Sequence, residues 1–416
     1  MSTERIYIIG AGLAGLVAAL ELEKAGLKPI ILEASDDIGG RVRTDKHDGF
    51  LLDRGFQVLL TAYPEAQRYL DFEGLKLKEF EPGAYVFSDD HPFLISDPLR
   101  QPLKMFSMAI SPVGSILDKI KMFSLTLELK KKSIENIFDA PSISTIEYLR
   151  EYGFSEKIIE NFFSPFFRGI FLEKELLTSS RMFEFVFKMF SSGNAAIPEK
   201  GMGEIPAMLR RKLKNTEIHL NSSVDKVMKT QIIMSDGEVI QADRIIIATQ
   251  PDRIMDQLKG QFPKPKMAAT LYFSLEKSFM VRPMLGLVPG NQHLINNLVF
   301  MSDVSASYSS NGRALLSVSI HDSKLTENQL IEGVKGELQK ISGINAEYFK
   351  FVKSYFIPHA IPTVDDMKST ISFTETKIAD HVFLAGDYLL NGSVNAAMGS
   401  GRLAAEAVLL SLTRTH

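Results

Sequence analysis

Short all-apolar runs separated by segments of helical period recur along the chain, and each alternation predicts a strand followed by a helix. Ile6, Tyr7, Ile8 and Ile9 have no polar face, the pattern of a parallel strand covered on both sides. The segment from about Leu13 to Ala25 reads as a helix that Gly26 ends, and Pro29 to Leu32 reads as the next strand. Phe50 to Leu60 is strand-like but interrupted by Asp53 and Gly55. Asn161 to Phe190 is the most aromatic stretch, with Phe183, Phe187 and Phe190 spaced to share one helix face. Most of these rings predict core, and a minority predict the wall of an apolar tunnel.

The second half repeats the same alternation. Ile197 to Leu213 predicts a glycine loop and a helix, and IHLNSSVDKV, from Ile218 to Val227, predicts a strand. A hairpin follows, turning at Ser235, Asp236 and Gly237. RIIIATQ, from Arg244 to Gln250, is another buried parallel strand, which Pro251 ends. The runs ATLYFSL, ALLSVSI and YFKFVKSYFI alternate with a helix near Thr326 to Gln339, which predicts a mixed α+β region. Val382 to Ala385 predicts a last strand before a helix that begins near Ser393.

Glycines give the first unit its chemistry. Gly10, Gly12 and Gly15 stand as G-x-G-x-x-G between the first strand and the first helix. The first permits a tight turn, the second lets backbone approach a pyrophosphate, and the third lets the helix pack on the strand. The N–H groups at the helix start then face the diphosphate. Glu33 closes the second strand 18 residues after Gly15, near the roughly 20 expected for an acid that holds a ribose. A purely structural glycine turn leaves Glu33 unexplained, and glycines interrupt the apolar run that a secretory signal needs. Gly39, Gly40, Arg41 and Arg43 form a second glycine turn backed by guanidinium groups, suited to phosphate. Gly55 suggests a flat ring passing close to the backbone, with a β-bulge as the alternative.

Composition narrows the picture. A chain of 416 residues predicts two or three domains at about 150 residues each. It is 45% hydrophobic and 23% charged, with a net charge of -3, which gives no reason to expect nucleic acid as a partner. No stretch approaches the roughly 18 uninterrupted apolar residues of a membrane span. The absence of cysteine excludes disulfides, thiol relays and cysteinyl attachment of a cofactor. The 8 histidines are scattered without metal-ligand spacing, so no metal is expected. Leu99 to Lys132 carries 7 basic residues (Arg100, Lys104, Lys119, Lys121, Lys130, Lys131, Lys132) against 2 acidic ones, Asp118 and Glu128. That pattern suits either a solvated helix face or a peripheral contact with a membrane surface, so the expected location is cytoplasmic, with or without such contact.

With GGRVRT added, the opening stretch resembles the flavoprotein superfamily of flavin amine oxidases, protoporphyrinogen oxidases and phytoene desaturases. Gly49 to Leu70 is most similar to the carotenoid desaturase and squalene-related branch, where a glycine, a histidine, an apolar pair and Tyr-Pro recur in order. Here these are Gly55, Gln57, Leu59 with Leu60, and Tyr63 with Pro64, so Gln57 departs from the histidine. SPFFRGIF, from Ser164 to Phe171, resembles a substrate-domain segment shared by desaturases and protoporphyrinogen oxidases, and AGDY with the later Ser-Gly resembles the desaturases' closing motif. Ile197 to Leu213 matches the segment where the chain returns to the flavin domain.

The resemblance implies a noncovalently bound FAD. Its contacts would be Gly10, Ala11, Gly12, Leu13, Ala14, Gly15, Glu33, Ala34, Gly40, Arg41, Gly55, Phe56, Gln57, Val224, Gly386, Asp387, Ser393, Val394 and Ala397. Val224 would meet adenine through its backbone, and Asp387 would accept from ribityl or phosphate-side donors. The helix start near Asn395 to Ala397 would lie against the pyrimidine side of the ring. Gln57, Tyr63 and Thr270 are the candidates near the flavin, and no residue reads as a general base. Thr270 stands where amine oxidases carry a flavin-contacting lysine, Lys266 lies four residues upstream, and Ser393 replaces an aromatic cage residue. These departures disfavour amine chemistry.

The fold expected is α/β, with a discontinuous Rossmann-like FAD-binding domain over 1–70, 197–251 and 375–416. A second, α+β substrate domain over 71–196 and 252–374 would be built on a mixed sheet and helices. The function expected is an FAD-dependent oxidoreductase that removes hydride from a hydrophobic small molecule, isoprenoid-like or polycyclic. No second G-x-G-x-x-G offers an NAD(P)H site, which leaves oxygen or a quinone as electron acceptor, and the oligomeric state is open. Two alternatives stand beside this: a flavin amine oxidase, and a prenyl-binding protein like the Rab GDP dissociation inhibitors, which share the architecture without flavin chemistry.

Overall fold

A computed structural model describes residues 4–88, 92–96, 113–280, 282–320 and 325–413. Ile6–Ile9 lies inside a six-stranded sheet, parallel to Ile30–Leu32 on one side and to Arg244–Ile247 on the other. Glu217–His219 extends the first side; Val382–Leu384 and then Lys377–Ala379 extend the second, only the last pair being antiparallel. Segments more than 200 residues apart in the chain therefore share one sheet, giving a discontinuous Rossmann-like α/β unit.

Period-2 alternation explains why its strands read as uninterrupted apolar runs. Ile6, Ile8, Ile246 and Phe383 pack with the helices Leu13–Lys24 and Val394–Thr413. Ile9, Ile245, Ile247 and Leu384 point the other way, onto a small sheet of Val224–Met228, Gln231–Met234 and Val239–Gln241. The first and last helices touch closely, since a methyl added at Gly401 would fall 2.2 Å from the Ala14 carbonyl oxygen.

Two strand expectations need correction. Phe50 to Leu60 is not one strand: Phe50–Asp53 pairs with Thr44–His47, Gly55 turns the chain at φ +88°, and Leu59–Leu60 resumes against Ala195–Ile197. Ile218 to Val227 also splits. Glu217–His219 belongs to the large sheet, Asn221 adopts φ +52°, and Val224–Met228 starts the small one, whose hairpin turns at Gly237 as expected. The helix that follows the glycine loop of Ile197 to Leu213 is Glu204–Lys212.

The second unit is a seven-stranded mixed sheet covered by helices. Its order is Lys350–Ile361, Lys266–Leu275, Ala314–Ile320, Ile295–Phe300, Leu285–Leu287, Gly83–Val86, Phe93–Ser96. The run YFKFVKSYFI starts the first of these two residues later than expected, because Ala346–Tyr348 forms a turn of 3₁₀ helix. The helix expected near Thr326 runs over Glu327–Ser342, started by a Thr326/Gln329 capping box. Helices Ile116–Lys131, Thr145–Glu151, Ser164–Phe171 and Ser180–Ser192 form an aromatic layer beside this sheet. Of the basic stretch from Leu99 to Lys132, residues 99–112 lie outside the described residues. Among the described residues no helix is long and apolar enough to cross a membrane.

Candidate active site

One cavity of about 1460 Å³ joins the glycine fingerprint to the aromatic helices. Gly10, Gly12, Leu13, Ala14 and Glu33 line one end. The glycines divide the work as their spacing predicts. A methyl at Gly15 would lie 2.0 Å from the Gly10 carbonyl oxygen, so this residue serves helix packing and is absent from the wall. A methyl at Gly12 would meet no protein atom within 4 Å, so the space beside its backbone is open to a ligand. Glu33 is held in place by the Ala11 N–H (2.6 Å), the Ser35 N–H (2.9 Å) and the Ser35 hydroxyl (2.7 Å). A carboxylate offers about four lone-pair sites, so capacity for a ribose hydroxyl remains.

Arg41, Gly386, Asp387, Ser393, Val394 and Ala397 line the next part, together with Gly39 and Gly40. Gly39 donates its N–H to the Ala11 carbonyl at 2.9 Å, which ties the second glycine turn to the first. Arg41 donates from Nη2 to Asp387 Oδ1 at 2.7 Å and from Nη1 to the Ala360 carbonyl at 2.9 Å. The Asp387 carboxylate raises the Arg41 pKa further above its ordinary value. Ser393 caps the last helix by accepting the Ala396 N–H at 3.0 Å and donates to Asn391 Oδ1 at 2.7 Å.

Gly55, Phe56, Gln57 and Tyr63 also stand in the wall. Gln57 donates from Nε2 to the carbonyls of Arg41 (2.9 Å) and Arg54 (3.1 Å). Tyr63 stacks on Phe185 with ring centroids 5.8 Å apart, and burial raises its pKa. Thr270 is a correction: it is buried outside the wall, with its hydroxyl accepting the Phe56 N–H at 3.3 Å. Lys266 and Ala268, on the same strand face, line the cavity instead. Val224 and Ala34 are also outside the wall; Ala34 is exposed, and Val224 begins its strand two residues after Ser222, whose N–H binds the Glu33 carbonyl at 2.8 Å. Phe162, Phe166, Phe167, Phe187 and Phe190 line the far end, whereas Phe183 belongs to the core.

Two polar groups in the wall make contacts that the sequence did not show. Lys266 pairs with Glu173, 93 residues away, and also donates to the Thr178 hydroxyl at 3.0 Å, contacts with no local signal. Gln250 and Arg253 flank His359, whose pKa burial and the Arg253 charge hold below the usual value. Gln250 follows the strand Arg244–Ile247, and ligands of parallel sheets bind beyond the carboxyl ends of strands, so its position was a usable signal. Among the described residues no three His, Cys, Asp or Glu side chains are grouped to hold a metal.

Residues 13–409 match the model of the flavin containing amine oxidoreductase family. The chain belongs to that family. Membership places it among flavoprotein oxidoreductases. Protoporphyrinogen oxidase 2 of Arabidopsis thaliana is 26% identical over 171 residues, which cover 41% of this chain and 33% of the relative, so the match spans about a third of that protein's length. The 15-cis-phytoene desaturase of Capsicum annuum is 23% identical over 97% of this chain and 77% of its own. The crystal structure of an oxidoreductase from Methanosarcina mazei superposes with a TM-score of 0.73 at 17% identity, covering 98% of this chain and all of that one, which shows the shared fold. The residues at the glycine-lined end fit the family's flavin: an open backbone at Gly12, a fixed acid at Glu33, and a charge pair at Arg41 and Asp387.

Proposed function

We propose that the protein binds FAD noncovalently across its two chain ends and oxidises a hydrophobic substrate held at the aromatic end of the same cavity. The continuity of that cavity carries the reading. At about 1460 Å³ it exceeds the roughly 300–1,000 Å³ of a pocket for one small ligand, which leaves room for a cofactor and a substrate together. Glu33 and the backbone at Gly12 would hold the nucleotide, Arg41 and Asp387 the phosphate and ribityl region, and the helix start at Val394 to Ala397 the ring. The segments supplying those contacts make 1–70, 197–251 and 375–416 the FAD-binding domain in this reading.

When bound, the flavin supplies two-electron oxidation of an activated C–H bond. The chain itself orients and dries the site. Phe162, Phe166, Phe187 and Phe190 present rings that exclude water and hold an isoprenoid-like or polycyclic molecule. Tyr63 keeps its proton because burial raises its pKa, so it donates at its hydroxyl and does not act as a base. The helix Ile116–Lys131 exposes Ile116, Leu117, Ile120, Phe123 and Leu127 while Met122 and Thr126 line the cavity. That face supports peripheral contact with a membrane surface, from which an apolar substrate would enter. Oxygen or a quinone is the electron acceptor.

A second reading, oxidation of an amine, is favoured by one observation, the presence of Lys266 in the wall. Anaerobic titration separates the two. Isoprenoid or polycyclic compounds are expected to bleach the flavin absorption, and putrescine and spermidine to leave it unchanged. Bleaching by the amines alone would replace the first reading with the second.

A further inference from the structure

The apolar end of the cavity is lined by one carboxamide, Asn297, and a second, Asn296, lies buried beside it without a partner. Strand Ile295–Phe300 reads INNLVF and is buried along its whole length, so two adjacent asparagines stand inside a core strand. Consecutive residues of a regular strand point to opposite faces. Here the pairing with Ala314–Ile320 slips between Ile295 and Asn297, so that Asn296 is an extra residue in the ladder. Such a bulge re-aims a side chain and is a recurrent device beside functional sites.

Both carboxamides consequently converge on one point of the helix Ser164–Phe171. A methyl added at Gly169 would lie 2.4 Å from Asn297 Nδ2 and 2.7 Å from Asn296 Nδ2. Gly169, Ile170, Phe166, Phe167, Leu285 and Asn297 are all cavity wall. Asn296 is 2% exposed with neither its Oδ1 nor its Nδ2 partnered. Asn297 is 4% exposed and its side chain has no hydrogen-bond partner among the described residues. A buried amide left without a hydrogen bond is costly, so a purely hydrocarbon occupant leaves a standing penalty that an oxygen atom removes.

We infer that Asn297, backed by Asn296 and given room by Gly169, is a subsite for a neutral oxygen function, a hydroxyl or carbonyl, on an otherwise apolar substrate. This rests on the reading of the aromatic end as the substrate site and narrows it from hydrocarbons to mono-oxygenated lipids or polycycles. The amide Nδ2–H donates to the oxygen, and Oδ1 accepts where the group is a hydroxyl. Neutral amides supply no charge, which sets this subsite apart from one built for a carboxylate.

The test compares two probes of one carbon skeleton, geranylgeraniol and the same chain without its hydroxyl, by calorimetric titration of the FAD-loaded protein. The unsubstituted protein is expected to bind the alcohol roughly tenfold or more tighter than the hydrocarbon. Asn297→Leu, close in size and unable to hydrogen-bond, is expected to abolish that preference, and Asn297→Ala to do the same without added bulk. Folding of each is checked by melting temperature and flavin content. Equal binding of the two probes by the unsubstituted protein, or a preference that survives both substitutions, overturns the subsite while leaving the apolar-substrate reading intact. Loss of both probes alike in the variants marks Asn297 as structural and also overturns it. Failure of the unsubstituted protein to bind either probe overturns the substrate reading and the subsite together.

Discussion

Gly12 and Gly15 sit in one turn, yet a methyl group acts differently at each. At Gly15 it would press 2.0 Å from the Gly10 carbonyl oxygen, and Gly15→Ala is expected to cost about 1–3 kcal/mol by overpacking, with loss of bound flavin. At Gly12 there is open space and an ordinary φ of -71°. Gly12→Ala is expected to melt as the parent does and to lose flavin affinity alone, checked by melting curves of the flavin-free proteins beside flavin titrations. Asp53 is a residue of another kind. Burial pushes its carboxyl up to about 6, against opposing hydrogen bonds from Thr44, Tyr308 and Met202. The folded chain then holds a proton that the unfolded chain releases near pH 4, so stability falls as pH rises through about pH 4 to 6 and is level above. Relative to Asp53→Asn, the parent is expected to lose roughly 3 kcal/mol across that window in denaturant titrations. The glycines were legible in the sequence because turn chemistry is local. Asp53 was not, since Met202 and Tyr308 come from 149 and 255 residues away.

At the scale of elements, legibility followed whether the signal lay within the element. The strand-turn-helix-strand unit carries its own glycines and the last helix its Ser393 cap, and the chain places them where the pattern predicts. The interruption at Gly55 was legible because glycine marks a positive φ, whereas the break at Asn221, which adopts φ +52°, was missed inside a run read as one strand. The bulge at Asn296 leaves no trace in INNLVF, because register is set by the neighbouring strand. Thr270 was misplaced because the alignment of ATLYFSL shows which residues share a strand face but not that Phe56 covers one of them. The helix Ile116–Lys131 is held at its start by a Ser115/Asp118 capping box, with the Ser155 N–H and hydroxyl also bound to Asp118 at 2.8 and 2.7 Å. Asp118→Ala is expected to cost about 1–2 kcal/mol and to loosen this wall of the cavity, read as a lower denaturation midpoint and weaker binding of apolar ligands with flavin content unchanged.

For the molecule as a whole, the decisive feature is that residues near positions 10, 41 and 390 meet around one space. Arg41 and Asp387, 346 residues apart, are hydrogen-bonded in its wall. The glycine-lined half of the cavity was legible because each of its segments carries glycines or an acid in a recognisable order. The aromatic half was legible only as composition, since which rings become wall and which become core depends on how helices Ser164–Phe171 and Ser180–Ser192 meet the seven-stranded sheet. Titration of flavin-free protein with FAD, followed by denaturation and analysis of the released cofactor, tests the central claim most directly. One FAD bound per chain, released intact on denaturation, and binding weakened by Arg41→Ala and Asp387→Ala is the expected result; no uptake of FAD, or flavin that stays attached to the denatured chain, would contradict it.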